Sequence, residues 1–262
     1  MLSELFSSLI TSCPAYVRNM EYLAETMAMQ RRSRRHRSAW QPHLDRSRAF
    51  ILSAAEQCRQ RDTVVVLGAG LLLDVPLSKL SSLFREVILI DIVFLPEIRR
   101  QIRSFRNVKL LQYDVTGLAE RLYDSVQHGI SELPQSSPKM PETVMNAGLA
   151  VSLNILSQLW VIPRAYALKK IPNIDAERID DWCGQMVRSH YDLLSALACD
   201  VCLVADHEFV KRDREGKVIS RGSTVAGFNL PAPDASWTWE IAPAEERQPF
   251  SKELIVGAWH PR

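Results

Sequence analysis

The stretch VVVLGAGLLLDVPL, residues 64–77, decides how this chain is read. A run of β-branched residues meets Gly68-Ala69-Gly70, and LLLDVPLSKLSSLF then follows a helical period, with Pro76 either in its first turn or breaking it. An apolar strand without polar alternation is what a parallel strand covered on both faces requires. At a strand-to-helix turn, glycine permits positive φ and a close backbone approach. A helix beginning there would offer unpaired N–H groups to a carboxylate or phosphate. Gly68 and Gly70 fill the first two places of a GxGxxG fingerprint, but the third is Leu73. The pyrophosphate of a dinucleotide depends on that third glycine for tight helix–strand packing.

Outward from this loop, strands and helices alternate. EVILID (86–91), VKLLQYD (108–114), GLAVSLN (148–154) and DVCLVAD (200–206) read as further strands. LPEIRRQIRSF, LAERLYDSVQHGI and DAERIDDWCGQMVRSHYDLLSALA (175–198) read as helices, the last with Asp175 as N-cap. SELPQSSPKMPE is a loop and REGKV a turn, and SWTWEIAP and KELIVGAWHP close the chain as an antiparallel pair, with Trp237 and Trp239 on one strand face as packing residues. Before residue 62 the pattern is helical: Leu2, Leu5, Phe6 and Leu9 follow helical spacing, YVRNMEYLAETMAMQRRSRRHRSAW continues it, and LDRSRAFILSAAEQCRQ is a second helix after Pro42. The expected fold is an open, mostly parallel, seven-stranded Rossmann-like α/β sheet with helices on both faces. A helical cap over 1–61 precedes a domain over 62–262. The ligand crevice of such a sheet lies at the carboxyl ends of its strands.

Composition bounds the rest. The chain has 262 residues, 47% hydrophobic and 24% charged, with a formal net charge of +2. That is an ordinary globular balance, with no global field to steer it to nucleic acid or membrane. Five cysteines without a secretory leader fit a reducing, cytoplasmic compartment. Cys199 and Cys202 form a lone CxxC inside a strand pattern and read as core thiols; no metal site is expected. No apolar run is long enough to span a membrane. Charge is concentrated at residues 31–37, where Arg31, Arg32, Arg34, Arg35 and Arg37 form a cluster that marks RNA as a second candidate partner. Aromatic interleaving there is poor, so a solvated helix face or an anionic small substrate competes with RNA.

Two acids follow the glycine loop. Asp91 ends the second strand, where a carboxylate can accept from both ribose hydroxyls of an adenosine, and Asp114 ends the third, where it can accept from an adenine amino group. Together with Ala69 and the adjoining Ile92 and Val115, they outline a cofactor site for an adenosine ligand without a pyrophosphate. This order resembles the class I S-adenosylmethionine (SAM)-dependent methyltransferases over roughly residues 62–262. The resemblance implies a seven-stranded sheet whose last strand is antiparallel. It also implies that Gly68 and Gly70 face the methionine part of SAM, Asp91 the ribose and Asp114 the adenine. This chain departs from the family at two places: Val66 stands where an acid is usual, and Leu72 where a third loop glycine is usual. Both touch the pocket for the amino-acid part of SAM, where Asp74 or a residue of the first 60 would have to compensate.

The methyl acceptor, expected to be a small molecule or an oxygen nucleophile, would lie beyond the fourth and fifth strands. There SLNILSQLW supplies Ser152, Asn154 and Gln158 to orient it. Asn154 and His207 are the candidate catalytic residues. His207, after the fifth strand, is read as a general base because imidazole as a residue type suits that work. Trp40 and His43 in AWQPHL are placed to fold over the cleft, with Trp40 as a candidate substrate contact. Two other readings remain. One is a catalytically degenerate binding or scaffold protein, favoured by Val66 and Leu72. The other is a nicotinamide (NAD(P)) oxidoreductase, for which DVT (114–116), NAG (146–148) and Tyr166-xxx-Lys170 are fragments at the wrong spacing.

Overall fold

The computed structural model describes residues 10–245 and 249–261; the helical spacing read over Leu2, Leu5, Phe6 and Leu9 lies outside the described residues. Five strands, β1 (Thr63–Leu67), β2 (Glu86–Asp91), β3 (Val108–Gln112), β4 (Leu149–Leu153) and β5 (Asp200–Arg212), run parallel. They are joined by β6 (Val218–Ser223), β7 (Ala235–Ala242) and β8 (Ser251–Trp259) in the order β3-β2-β1-β4-β5-β8-β7, with β6 paired to β5. Because β8 is antiparallel to both β5 and β7, β7 runs in the direction of the first five strands. The Rossmann-like sheet expected from the sequence is therefore present, with the antiparallel last strand the resemblance implied and one strand more than the seven expected.

The additional strand is β6. A turn was expected at REGKV, and Asp213 makes one by accepting from the N–H groups of Glu215 and Lys217 at 3.0 and 2.9 Å. Its second arm, VISRGS, has no apolar face, so no strand period marks it. β5 accordingly runs on to Arg212 instead of ending at Asp206.

Alternation along β1 explains why its sequence is apolar throughout. Val64 and Val66 belong to the core on one face of the sheet, and Val65 and Leu67 to the core on the other. The first face is covered by the N-terminal helices α1 (Ala15–Asn19), α2 (Tyr22–Arg35) and α3 (Arg37–Gln57), with Trp40 and Ile51 fully buried against β7 and the central strands. The other face is covered by helices that include Ala119–Gln127 and Ala176–Ser195. Asp175 caps the latter as expected, its carboxylate 2.8 Å from the Arg178 N–H.

Two helix boundaries differ from expectation. α3 runs through Pro42, and the chain breaks at His36 instead. The carbonyl that Pro42 leaves without a partner belongs to Ser38, on the exposed side, where water can take it. After the glycine loop, no helix forms until α4 (Leu77–Leu83), with Pro76 as its N-cap. Leu72 stands in the left-handed region at φ 57°, which ends any helical path through 71–76.

Candidate functional site

The sheet order reverses between β1 and β4, and a large cleft opens there, at the carboxyl ends of the strands. Gly68, at φ 79°, passes so close to the next loop that a Cβ would lie 2.6 Å from the Leu153 carbonyl oxygen. The loop's donors are committed internally. The N–H groups of Gly68 and Ala69 donate to the Ile90 carbonyl at 2.9 and 3.1 Å, and that of Gly70 donates to Asp91 Oδ2 at 2.8 Å. With those three donors engaged and α4 starting only at Leu77, the expected helix N-terminus behind the loop is absent. This is no cradle for a pyrophosphate, and that counts against the nicotinamide reading.

The two acids fare differently. Asp91 accepts at Oδ2 from the Gly70 N–H at 2.8 Å and at Oδ1 from the N–H groups of Ile92 and Val93 at 2.8 and 3.5 Å, which leaves an acceptor site on Oδ2. Burial pushes its pKa up to about 6 against the pull of those N–H groups. Asp114 has no such reserve. Oδ1 accepts from the N–H and hydroxyl of Thr116 at 2.9 and 2.6 Å, and Oδ2 from the N–H groups of Leu118 and Ala119 at 3.0 and 2.8 Å. Four bonds fill the four acceptor sites of a carboxylate. Asp114 therefore caps the helix Ala119–Gln127 while lining the cavity, and its side chain keeps no spare acceptor site for the expected adenine contact.

One cavity of about 700 Å³ brings together Gly68, Ala69, Gly70, Asp91, Ile92, Asp114, Val115, Asn154, Gln158 and Trp40. Two expected residues stay out of it. Ser152 is fully buried within β4, its hydroxyl 2.9 Å from His190 Nε2 on the far face of the sheet. His207 follows Asp206 along β5; Asp206 lines the cavity and alternation turns His207 the other way, toward Trp259, at 6.0 Å between ring centroids. It lines a separate cleft with Glu208 and Arg221. The assignments of Ser152 to the acceptor and of His207 to general-base work are therefore corrected. The reading of His207 rested on a strand end, and β5 does not end there, whereas Ser152 stands inside β4, where alternation turns it to the far face.

Around the cavity the N-terminal helices supply a wall that the sequence only hinted at. Tyr22, Met29 and Arg31 of α2 and Trp40, His43 and Leu44 of α3 face it, opposite Trp239 and Ile241 of β7. Trp40 donates its indole N–H to the Ile241 carbonyl at 3.0 Å and packs edge-on against Trp239 at 5.1 Å, which fixes it as a rigid wall. His43 is stacked on Trp239 at 4.0 Å and accepts at Nδ1 from Trp237 Nε1 at 3.0 Å. Burial pushes its pKa down to about 3, so it is neutral. The Asn154 amide atom placed as Nδ2 lies 2.6 Å from Asp74 Oδ2 and 3.2 Å from His43 Nε2, and the other amide oxygen position is buried without a partner. Trp237, read from sequence as packing alone, thus also sets the hydrogen bonding of this wall, while Trp239 stacks on His43, and two-residue spacing carried no sign of either. Asp206, buried and accepting from Ser157 Oγ at 2.7 Å, completes the polar set.

The arginine cluster is divided by the fold. Arg31 lines the cavity, Arg32 is paired with Glu25 at 2.5 Å, and Arg34, Arg35 and Arg37 are exposed where α2 gives way to α3. Among the described residues no group of His, Cys, Asp and Glu is placed to hold a metal ion, and no helix is long and apolar enough to cross a membrane.

No family model and no curated protein matches the sequence. Solved structures similar to the chain include DhpI in complex with SAM and HEP, at 13% identity over 93% of this chain and 99% of that one, with a TM-score of 0.38. Another is the Burkholderia thailandensis 1,6-didemethyltoxoflavin-N1-methyltransferase with 1,6-didemethyltoxoflavin and S-adenosylhomocysteine bound, at 13% identity over 90% of each chain, with a TM-score of 0.33. A third is the 23S rRNA methyltransferase ErmE, at 13% identity over 80% and 66% of the two chains, with a TM-score of 0.27. Likeness at this level identifies neither ligand nor reaction. The mostly parallel sheet with its antiparallel last strand is what the resemblance to a class I methyltransferase-type fold implied.

Proposed function

We propose that the chain is a SAM-dependent methyltransferase acting on a small-molecule acceptor. The observation that carries this reading is the single cavity joining Asp91 and the glycine loop to a chamber walled by Trp40, His43 and Trp239. Its volume of about 700 Å³ suits a nucleoside and a small second ligand together. The residues present fit the cofactor in part. Asp91 keeps acceptor capacity for ribose hydroxyls, and Ile92 and Val115 offer apolar surface to a base. The committed N–H groups of residues 68–70 suit a ligand without a pyrophosphate.

When bound, the cofactor supplies an activated methyl group on a sulfonium. The chain's own work is then to orient and to exclude water. Asp91 fixes the ribose, the two tryptophans and neutral His43 form a dry acceptor wall, and Asn154 and Gln158 provide uncharged polar contacts. The N-terminal helices act as a cap, since α2 and α3 close one side of the cavity. With His207 turned away and both ring nitrogens of His43 engaged, no histidine among the described residues is placed as a general base in this cavity. That favours an acceptor whose nucleophilic atom needs little help to lose its proton.

The second reading, a binding or scaffold protein on the same fold, is favoured by Val66, which is fully buried in the sheet and offers no acid, and by the saturated Asp114. Isothermal titration with SAM, S-adenosylhomocysteine and NAD separates the readings. Micromolar binding of the two sulfur nucleosides without NAD supports the methyltransferase, and binding of none supports the scaffold. RNA stays open as an alternative acceptor through Arg34, Arg35 and Arg37. Retention on a mixed-sequence RNA column at 150 mM salt, lost on replacing those three by glutamine, would move the reading there.

A further inference from the structure

The polar wall between the glycine loop and the tryptophans fixes its own protons. Which terminal atom of an Asn side chain is nitrogen follows from its neighbours. Trp237 Nε1 can only donate, and it lies 3.0 Å from His43 Nδ1, so Nδ1 carries no hydrogen. A neutral imidazole with a bare Nδ1 carries its hydrogen on Nε2 and must donate there. The atom facing Nε2 at 3.2 Å belongs to the Asn154 amide, and to receive that hydrogen it must be the oxygen. The same atom lies 2.6 Å from Asp74 Oδ2. Two bare acceptor oxygens repel at that distance, whereas 2.6 Å is ordinary for an O–H···O bond. A hydrogen therefore sits between them, on Asp74.

We propose that Asp74 is a resident neutral carboxylic acid, the terminal donor of a relay in which Trp237 donates to His43, and His43 and Asp74 both donate to the Asn154 oxygen. Asp74 acts as a positioning residue. The relay ties the segment after the glycine loop to α3 and β7, holding the loop against the N-terminal wall with no net charge. The amide nitrogen of Asn154 is left as the buried atom without a partner, on a residue that lines the cavity. Trp239 Nε1, also buried without a partner, belongs to the same wall. Two unpaired donors and no charge fit an uncharged ligand body bearing carbonyl or hydroxyl oxygens. The burial of Asp74 acts in the same sense, raising its pKa. The charged and titratable groups around it are Arg48, which opposes that rise while donating to the Leu73 carbonyl, neutral His43, and the carboxyls Asp91 and Asp206 on the same cavity.

This inference does not depend on which cofactor the protein binds, and its test uses the full chain without ligand. Asp74→Asn keeps a donor toward the Asn154 oxygen; because an amide could instead turn its own oxygen to an Asn154 NH₂ group, the protonation of Asp74 is decided by the pH dependence and the infrared band. We expect Asp74→Asn to melt at or above the wild-type temperature at pH 7, with Asp74→Ala well below both. An acid whose folded pKa is raised stabilises at low pH and loses that contribution as pH rises through the folded value. The melting temperature of wild type should therefore fall relative to Asp74→Asn as pH climbs from about 4, where a free aspartate titrates. The infrared difference between the two proteins at pH 7 should contain the carbonyl band of a protonated carboxylic acid. Trp237→Phe frees His43 Nδ1 and should shift or remove that band. An Asp74→Asn protein that unfolds or melts with Asp74→Ala, a difference spectrum without the acid band, or a band indifferent to Trp237→Phe would each overturn the relay.

Discussion

Replacing Asp91 by alanine tests the core of the proposed site. The carboxylate holds Gly70 and Ile92 at 2.8 Å and faces the cavity with an acceptor site to spare on Oδ2. Hydrogen bonds to a charged acceptor contribute about 1.5–3 kcal/mol. Losing them from a ribose should weaken S-adenosylhomocysteine by roughly 10- to 150-fold, at about 1.4 kcal/mol per decade. The pH dependence sharpens the test. With its pKa pushed up to about 6 by burial, the ligand-binding carboxylate is ionised above that value and protonated below it. Affinity should hold steady between pH 7.5 and 8.5, then fall as pH drops through 6, reaching roughly a tenfold loss one unit below the pKa. In Asp91→Ala the curve should be flat. Isothermal titration of both proteins at pH 5, 6 and 7.5 measures it. Equal affinities at pH 7.5, or a wild-type curve that does not fall toward pH 5, would refute the ribose assignment whatever else the cavity binds.

Three other outcomes follow from the geometry. Gly68→Ala places a Cβ 2.6 Å from the Leu153 oxygen at a φ of 79°, so it should cost about 2–3 kcal/mol in urea unfolding and distort the loop; a neutral effect would show that the two loops can separate. Asp114→Ala removes four hydrogen bonds at the start of the helix Ala119–Gln127, so stability should drop by about 1–2 kcal/mol while S-adenosylhomocysteine affinity changes less than threefold; the opposite ranking would restore Asp114 to the adenine. His207→Ala, on the far side of β5, should leave that affinity and its pH dependence unchanged; a shift in either would place the histidine back in the cavity.

The fold was legible because its parallel strands are buried on both faces. VVVL and VILI can hide nowhere else, and β2 falls on the residues expected of it. What escaped was marked by no period. β6 has an exposed, charged arm that earns its place by pairing alone. The path from Leu71 to Pro76 keeps a helical spacing of leucines yet is not a helix, because Leu72 is held at positive φ by the packing around it. Pro42 was given the power to start a helix, whereas an exposed Ser38 carbonyl lets α3 run through it. In each case tertiary contact or solvent decided against the local signal.

The site was legible by position and illegible by chemistry. Gly68, Gly70, Asp91 and Asn154 do converge, since strand ends in such a sheet must meet at the switch point. The state of each polar group, however, depends on partners far away in sequence. Asp91 and Asp114 look alike as acids that end successive strands. Yet the loop after Asp114 curls back to fill its four acceptor sites, while the loop after Asp91 fills fewer. His43 and Trp237 are separated by 194 residues, and their contact is what strips Nδ1 of its hydrogen and sets the donor pattern through Asn154 to Asp74. An acid read from sequence as a charge that might offset Val66 is therefore, in the fold, a donor with no charge to offer. Any partner for the ammonium of an amino-acid-bearing cofactor has to be sought elsewhere on the cavity, where Glu21 and Glu25 line the wall but are already paired with Lys169 and Arg32.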